Sequence, residues 1–394
     1  RQALSDADRK AREWFKVRMR EAGLQVREDA AANIIGRLER FSGRPGTPCL
    51  ATGSHIDSVP HGGKFDGAAG LCASLEAIRA IGESKIPVPC PLELIVFTDE
   101  EGAHFAGTFG SRAMLSLVGE GEVFKSRAAG QPSLADDLER MGKDPRQISR
   151  AARSPAEFLA FLELHIEQGP VLDSLGISIG VVEGIVFIER YAITVEGEAG
   201  HAGTTPMNRR DDALVKAARL ITSLNRVFRS AGPGLVGTIG EVRVLPGAFN
   251  IIPGRVEMSL DLRSMKKTPL ESVRREIGKI VPSVPGARME ILNCKKGVRM
   301  DSRIQEAIIS SCRERGVRWR RMGSGAGHDS MTFPLRGIPA GMIFIPCQAG
   351  KSHCPEESVH PQDVATGAQI LADTILRVTR LVEEGEGKKP GRKK

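Results

Sequence analysis

Four short stretches of the chain concentrate side chains able to bind a cation or move a proton, four of the eight histidines among them. The first is Thr52-Gly-Ser-His55-Ile-Asp57-Ser-Val-Pro-His61-Gly-Gly-Lys64-Phe-Asp66-Gly67 and the second is Thr98-Asp99-Glu100-Glu101-Gly102. The third, Glu163-Leu-His165-Ile-Glu167-Gln168-Gly169, and the fourth, Gly350-Lys-Ser-His353-Cys-Pro-Glu356-Glu357, each centre on one histidine. Three successive carboxylates at 99–101 repel one another unless cations neutralise them or they point into water. Taken singly, each stretch has an ordinary explanation: a polar loop with Asp66 capping a helix, a solvated acidic loop, a histidine satisfied in a core. Taken together, two or three imidazoles with two carboxylates suit zinc, manganese, cobalt or nickel. One carboxylate set between two such ions would give a paired-metal hydrolytic centre. Gly62-Gly63-Lys64 lacks the spacing of a phosphate loop, which argues against nucleotide binding. His201, Asn250 in Phe249-Asn-Ile-Ile-Pro-Gly254 and Arg263 in Asp261-Leu-Arg-Ser264 stand in no metal-like cluster. By itself Arg263 reads as a solvated charge at a strand end.

The elements that must position these residues can be read from periodicity. Ser5 with Asp8 three residues on resembles a capping box, and Ala11, Phe15, Met19 and Ala22 follow at helical spacing until Gly23. Strands are expected at Cys49–Ile56 and Leu92–Thr98, with helices at Ala68–Ile81 and Gly110–Val118. A helix at Arg303–Arg315, a strand at Ala340–Ile345 and a closing helix at Gln362–Val382 resume the pattern. The class is therefore α/β with a mainly parallel sheet, in which ligands gather beyond the carboxyl ends of strands. His55, Asp57 and the 99–101 acids fall there. Between the halves the rhythm changes to strand 186–195, helix 211–228, strands 235–244 and 254–263, helix 270–280 and strand 288–293. This β-α-β-β-α-β order is a self-sufficient α+β unit. The expected division is 1–185 and 299–384 for the catalytic domain, 186–298 for an inserted domain and 385–394 for a basic disordered tail. Residues 132–155 read as a charged surface excursion.

Composition narrows the function classes. The 394 residues are 41% hydrophobic and 26% charged, as in a soluble globular protein of two domains. No apolar run approaches the roughly 18 residues needed to span a bilayer. The chain starts at Arg1 and shows no signal-peptide core, so its start reads as trimmed. Seven cysteines without a CxxC pair argue against a disulfide framework and for a reducing cytoplasm. Part of the net charge of +8 sits in the tail, and one Tyr with two Trp offers little surface for stacking bases. A nucleic-acid partner is not expected.

GSHIDSVPHGGKFDG, TDEEG, ELHIEQGPVL, GHAGTTPM, FNIIPG, GAGHD and SHCPEE together resemble the amidohydrolase branch of the M20 metallopeptidase clan, over essentially the whole chain. That branch contains N-carbamoyl-L-amino acid hydrolases, allantoate amidohydrolases and β-ureidopropionases. The resemblance implies two divalent metal ions per subunit (Zn, Mn, Co or Ni). His55, Asp66 and His165 would hold one, Glu101 and His353 the other, with Asp66 bridging. It further implies Glu100 as general base, His201 polarising the scissile carbonyl, Gln168, Asn250, Arg263 and His328 as substrate-binding residues, and Asp57 supporting the ligands. Histidine at 165, where the peptidase branch generally has a carboxylate, favours a ureido or carbamoyl substrate over a peptide. Relatives also imply a lid and a homodimer formed through the inserted domain. Cys354, beside a ligand, departs from the small residue common at that position. N-carbamoyl-L-amino acids are the leading substrates and allantoate or a β-ureido acid the alternatives. In a different class stands a catalytically silent homologue acting as a basic binding module.

Overall fold

The computed structural model describes residues 1–39, 46–84, 86–103, 107–119, 121–125 and 132–386, with 381–386 as backbone alone. The expected disordered tail falls largely outside the described residues. In chain order the elements are α1 Asp6–Glu21, β1 Gln25–Glu28, β2 Ile34–Leu38, β3 Cys49–His55, α2 Ala68–Glu83, β4 Leu92–Phe97, α3 Phe109–Met114 and α4 Leu134–Arg140. There follow β5 Phe158–Ile166, α5 Val171–Leu175, β6 Ile179–Ile185, β7 Phe187–Glu196, β8 Gly200–His201, α6 Ala213–Ser230, β9 Leu235–Thr238, β10 Val242–Leu245, β11 Ile251–Ile252 and β12 Arg255–Ser264. The chain ends with α7 Lys267–Ser283, β13 Ala287–Lys295, β14 Val298–Arg299, α8 Ser302–Glu314, β15 Trp319–Ser324, β16 Ala340–Ile345 and α9 Pro361–Glu386. Contacts divide the chain into two compact units, Arg1–Glu183 with Arg299–Lys394, and Gly184–Val298. Among the described residues no helix is long and apolar enough to cross a membrane.

The first unit is built on a nine-stranded sheet of order β1-β2-β4-β3-β5-β16-β6-β14, with β15 also paired to β6. Its centre, β4-β3-β5-β16, is parallel, while β2 and β6 join it antiparallel. Both faces of the central strands are covered, which is why they read as near-continuous apolar runs rather than as alternation. On one face, α2, α8 and α9 bury Leu71, Ile78, Ile308, Leu371 and Ile375 against Leu94, Leu162 and Ile343. On the other, Phe97, Phe158, Phe161 and Phe333 make a ring cluster in which Phe161 stacks on Phe333 at 4.0 Å. Residues 132–155 are not a mere surface excursion. Leu134, Leu138, Ile148 and Ala151 are spaced to bury one side, and they pack with Ala3, Leu4, Phe109 and Val123 in a second small core.

The second unit is an antiparallel sheet of order β10-β12-β7-β13, with β9 also paired to β12. Helices α6 and α7 cover one face, so β12 alternates strictly between buried and half-buried residues. The single strand expected at 235–244 is two, because its register against β12 slips by one residue between Thr238↔Asp261 and Val242↔Met258, where Ser259 Oγ accepts from Glu241 N–H.

At the start of β4, Glu93 is a fully buried carboxylate held by Arg153 at 2.5 Å and Arg37 at 2.9 Å. Burial alone would raise its pKa, but the Arg153 and Arg37 guanidiniums more than offset this and leave it below the ordinary 4.5. A depressed carboxylate contributes stability above its unfolded pKa and loses it as pH falls through the folded value. Glu93→Gln is therefore expected to destabilise the first unit by about 3 kcal/mol at pH 7, with the difference from wild type shrinking below pH 4.5. Urea unfolding at both pH values checks this, and a pH-independent difference would contradict it.

Candidate metal centre

The parallel strands carry the four stretches to one place. His55 is the last residue of β3, and the 99–101 acids follow the end of β4. His165 lies one residue before the end of β5, and His353 is in the loop after β16. Asp66 does not cap α2. Gly67 is the cap residue, at φ 63°, and no side chain bonds there. A Cβ on Gly67 would come within 2.4 to 2.7 Å of the His55 carbonyl and ring, so glycine lets Asp66 approach His55.

The Asp66 carboxylate stands between two sets of donors. Its Oδ1 lies 3.0 Å from His165 Nε2 and 3.6 Å from His55 Nε2; its Oδ2 lies 3.1 Å from His353 Nε2, which is 3.6 Å from Glu101 Oε1. Among the described residues three metal-sized groups result: His55–Asp66–His165 and Asp66–Glu101–His353, which share Asp66, and the neighbouring Glu163–His165–His328. Tautomers sharpen the case. His55 Nδ1 is 3.0 Å from the Asp57 carbonyl and His165 Nδ1 is 2.9 Å from the Ile166 carbonyl. A carbonyl only accepts, so each Nδ1 carries a proton, and Nε2, the atom facing Asp66, is the one that can give a lone pair to a cation once it has lost its own proton. Those two Nε2 atoms are 3.5 Å apart. Buried Asp66 Oδ1 and Glu101 Oε1 have no hydrogen-bond partner among the described residues. Converging lone pairs with orphaned carboxylate oxygens are what a cation satisfies, and nitrogen with oxygen donors fits zinc, manganese, cobalt or nickel.

The electrostatics agree. Burial would lower His55, but Asp66, Glu100 and Asp57 push it well above the usual imidazole range. Burial would raise Asp66, and the His165, His353 and His55 rings hold it well below the carboxylate range. The field of this centre thus favours positive charge, as proton or as metal. Glu100, buried 3.9 Å from His55, is pushed well above the carboxylate range by burial and by the Asp329, Glu101 and Asp57 charges. Asp99 turns away and accepts from Ala103 N–H at 2.8 Å, so the three successive acids do not all face the centre. Asp57 accepts from the backbone N–H groups of Glu100 and Glu101 at 3.4 and 3.2 Å and fixes that loop. Gln168, at φ 56°, donates Nε2–H to Asp66 Oδ2 at 2.8 Å and lies 3.3 Å from His353.

His328 is buried against His165, with ring centroids 4.5 Å apart, and its Nε2 is 2.9 Å from Ser324 Oγ. Burial and the His165 charge push its pKa well down, so it is a neutral ring. Three buried acids here have no role in the sequence reading: Glu163, Asp329 and Glu357. Glu163 accepts from Ser54 Oγ–H and Ser330 N–H at 2.8 Å each, and Asp329 from Ser111 Oγ–H at 2.6 Å. The signal for Glu163 was a charge inside the apolar run Phe158–Ile166, which marks a buried acid with partners.

In the second unit, β8 pairs with β11, setting His201 opposite Ile251 and next to Asn250. His201 Nδ1 accepts from Gly203 and Thr204 N–H at 3.0 and 3.2 Å, which leaves the proton on exposed Nε2. Arg263 lies on the polar face of β12, where Asp261 holds its Nε at 2.8 Å and also pairs with Arg190.

The model of Peptidase family M20/M25/M40 matches residues 51–377. The chain belongs to this family. The M20 chain is 38% identical to an N-carbamoyl-L-amino-acid amidohydrolase of Paenarthrobacter aurescens, over 95% of this chain and 90% of that one. It is 35% identical to a ureidoglycolate hydrolase of Oryza sativa subsp. japonica, over 95% and 79%. A solved amidase of the hydantoinase/carbamoylase family from Burkholderia multivorans is similar with a TM-score of 0.83 and 32% identity, over 96% and 92%. This M20 chain is thus a hydrolase of the amidohydrolase branch, acting on C–N bonds other than peptide bonds.

Because Asp66 is common to both donor groups, Asp66→Ala is expected to strip divalent metal more completely than Glu101→Ala. Metal analysis of desalted proteins measures this. Equal retention by the two variants would contradict a shared carboxylate.

Proposed function

We propose that this M20 hydrolase cleaves the carbamoyl C–N bond of N-carbamoyl-L-amino acids and releases the amino acid, ammonia and carbon dioxide. The observation that carries the reading is Asp66, one carboxylate whose two oxygens face two different donor groups. Support for the substrate class comes from the names of the relatives and from the imidazole at position 165. Allantoate and β-ureido acids are the competing substrates within the same chemistry.

In this reading His55, Asp66 and His165 would hold one divalent ion and Asp66, Glu101 and His353 a second, zinc, manganese, cobalt or nickel. Such ions, when bound, acidify the attacking water and stabilise negative charge on the carbonyl oxygen. Glu100 takes a proton from that water and passes it to the leaving amino-acid nitrogen as the C–N bond breaks. Carbamic acid remains and falls to ammonia and carbon dioxide, so one water balances the reaction. A carboxyl raised by burial and neighbouring charge, as at Glu100, is suited to carrying a proton near neutrality. His201, with its proton on Nε2, donates to the carbamoyl oxygen, where negative charge grows. Gln168, Asn250 and His328 hold the substrate, Asp57 keeps the Glu100 loop in place, and Arg263 pairs with the α-carboxylate through its planar fork. Asp261 orients that fork, accepting from Nε at 2.8 Å and from Nη2 at 3.3 Å.

The inserted segment 186–298 serves as lid and as the surface of a homodimer. Support for the dimer is the edge strand β13, which exposes Ile291 and Leu292. Seven free thiols support a reducing, cytoplasmic location.

Glu100→Gln is expected to retain metal and lose at least about a hundredfold in turnover, since it removes the proton carrier and spares the ligands. Metal analysis with kinetics on N-carbamoyl-L-amino acids tests this, and near wild-type turnover would remove the assigned role. Arg263→Ala is expected to weaken carboxylate substrates by roughly 2 to 5 kcal/mol, with Arg263→Lys intermediate. The corresponding amidated substrate should be poor for wild type and lose little more in the Ala variant. Equal losses in kcat/KM for acid and amide would show that Arg263 is not the carboxylate clamp.

A further inference from the structure

Glu357 lies in the same loop as His353, belongs to neither donor group around Asp66, and is only 3% exposed. A carboxylate that deep must have its oxygens satisfied by donors. Its Oε1 accepts two backbone N–H groups from the opposite loop, Phe65 at 2.8 Å and Asp66 at 3.0 Å. Its Oε2 accepts Ser352 Oγ–H at 2.9 Å, within its own loop. One side chain therefore ties residues 65–66 to residues 352–357 across some 290 positions of sequence. The ties fall directly on the backbone of Asp66 and on the residue beside His353.

Two further observations show that the arrangement is built. A Cβ on Gly63 would sit 2.0 Å from Glu357 Oε1 and 2.4 Å from its Cβ, so the glycine makes room for the carboxylate rather than for a turn. Each loop is also anchored separately, Phe65 against the main core and Val359 within it. The two anchors fix where each loop leaves the core, and Glu357 sets the span between their tips.

We propose that Glu357 is a positioning residue that sets the distance between Asp66 and His353, and through it the affinity of the Asp66–Glu101–His353 group for a divalent cation. The second half of this proposal rests on the paired-metal reading above; the first half does not. Partners behind a ligand typically change metal affinity by about ten- to a hundredfold. Glu357→Ala removes all three bonds. Glu357→Gln keeps an acceptor oxygen for the two backbone N–H groups, and Gly63→Ala displaces the carboxylate without removing its charge.

Two measurements on the full chain test it. Amide hydrogen exchange at Phe65 and Asp66, with and without chelation, should be faster in Glu357→Ala and Gly63→Ala and close to wild type in Glu357→Gln. Zinc or manganese titration against a competing chelator should show one class of site weakened at least about tenfold in Glu357→Ala, the other retained, and Glu357→Gln in between. Unchanged exchange overturns the clasp. Faster exchange with unchanged zinc affinity overturns its link to the metal group. Loss of both classes together with a collapsed melting transition would make Glu357 a folding residue and likewise overturn the proposal. If wild type itself binds no divalent ion, the paired-metal reading fails and the exchange data alone decide the clasp.

Discussion

A carboxylate buried among three imidazoles is the constraint around which this centre is organised. Asp66 can stay ionised there only because nitrogen donors face both of its oxygens, and those donors can converge only if four loops end within a few ångströms of one another. Bonds from Nδ1–H to backbone carbonyls fix the rings of His55 and His165, so each Nε2 is aimed at Asp66 before any cation arrives. Such prior aiming spares the reorganisation that a flexible ligand set would need.

Convergence is a property of the sheet. β3, β4, β5 and β16 run parallel and finish at one edge, so the residues leaving them meet without long excursions. Their tips are then joined by acids that accept backbone N–H pairs. Asp57 holds the Glu100–Glu101 backbone and Glu357 holds Phe65–Asp66, while Glu167 steadies its own loop by accepting the Val171 and Leu172 N–H groups at 2.9 and 2.7 Å. A backbone N–H is a strong, directional donor with no rotamers to lose, and a buried acid held by two of them cannot easily turn. Thus the same residue type holds the loops and lines the centre, and the difference lies in which donors each acid finds.

Much of the first unit was legible because strands buried on both faces give uninterrupted apolar runs. Cys49–Ile56, Leu92–Thr98 and Ala340–Ile345 were read within a residue or so of β3, β4 and β16. β5, which carries His165, went unread because Glu163 and His165 interrupt its apolar run, and those interruptions are the residues that face the centre. The half-exposed β1 and the short β2 gave no clear period. Residues 132–155 looked solvated because their charges outnumber the few apolar side chains that pack inward. At the centre, types and loop positions pointed to the cluster, but the pairing of Asp66 Oδ1 and Oδ2 with separate groups is set by rotamers that no spacing reveals. Likewise Glu357 appears in sequence only as one of two adjacent acids, and its bond to Asp66 N–H exists only once the loops meet.

The central claim is that one carboxylate serves two cations. Diffraction from crystals of the metal-loaded protein at wavelengths above and below the metal absorption edge tests it most directly. The account predicts two anomalous peaks flanking Asp66, one against Oδ1 with His55 and His165, the other against Oδ2 with Glu101 and His353. A single peak, or density at the neighbouring Glu163–His165–His328 group instead, would contradict it.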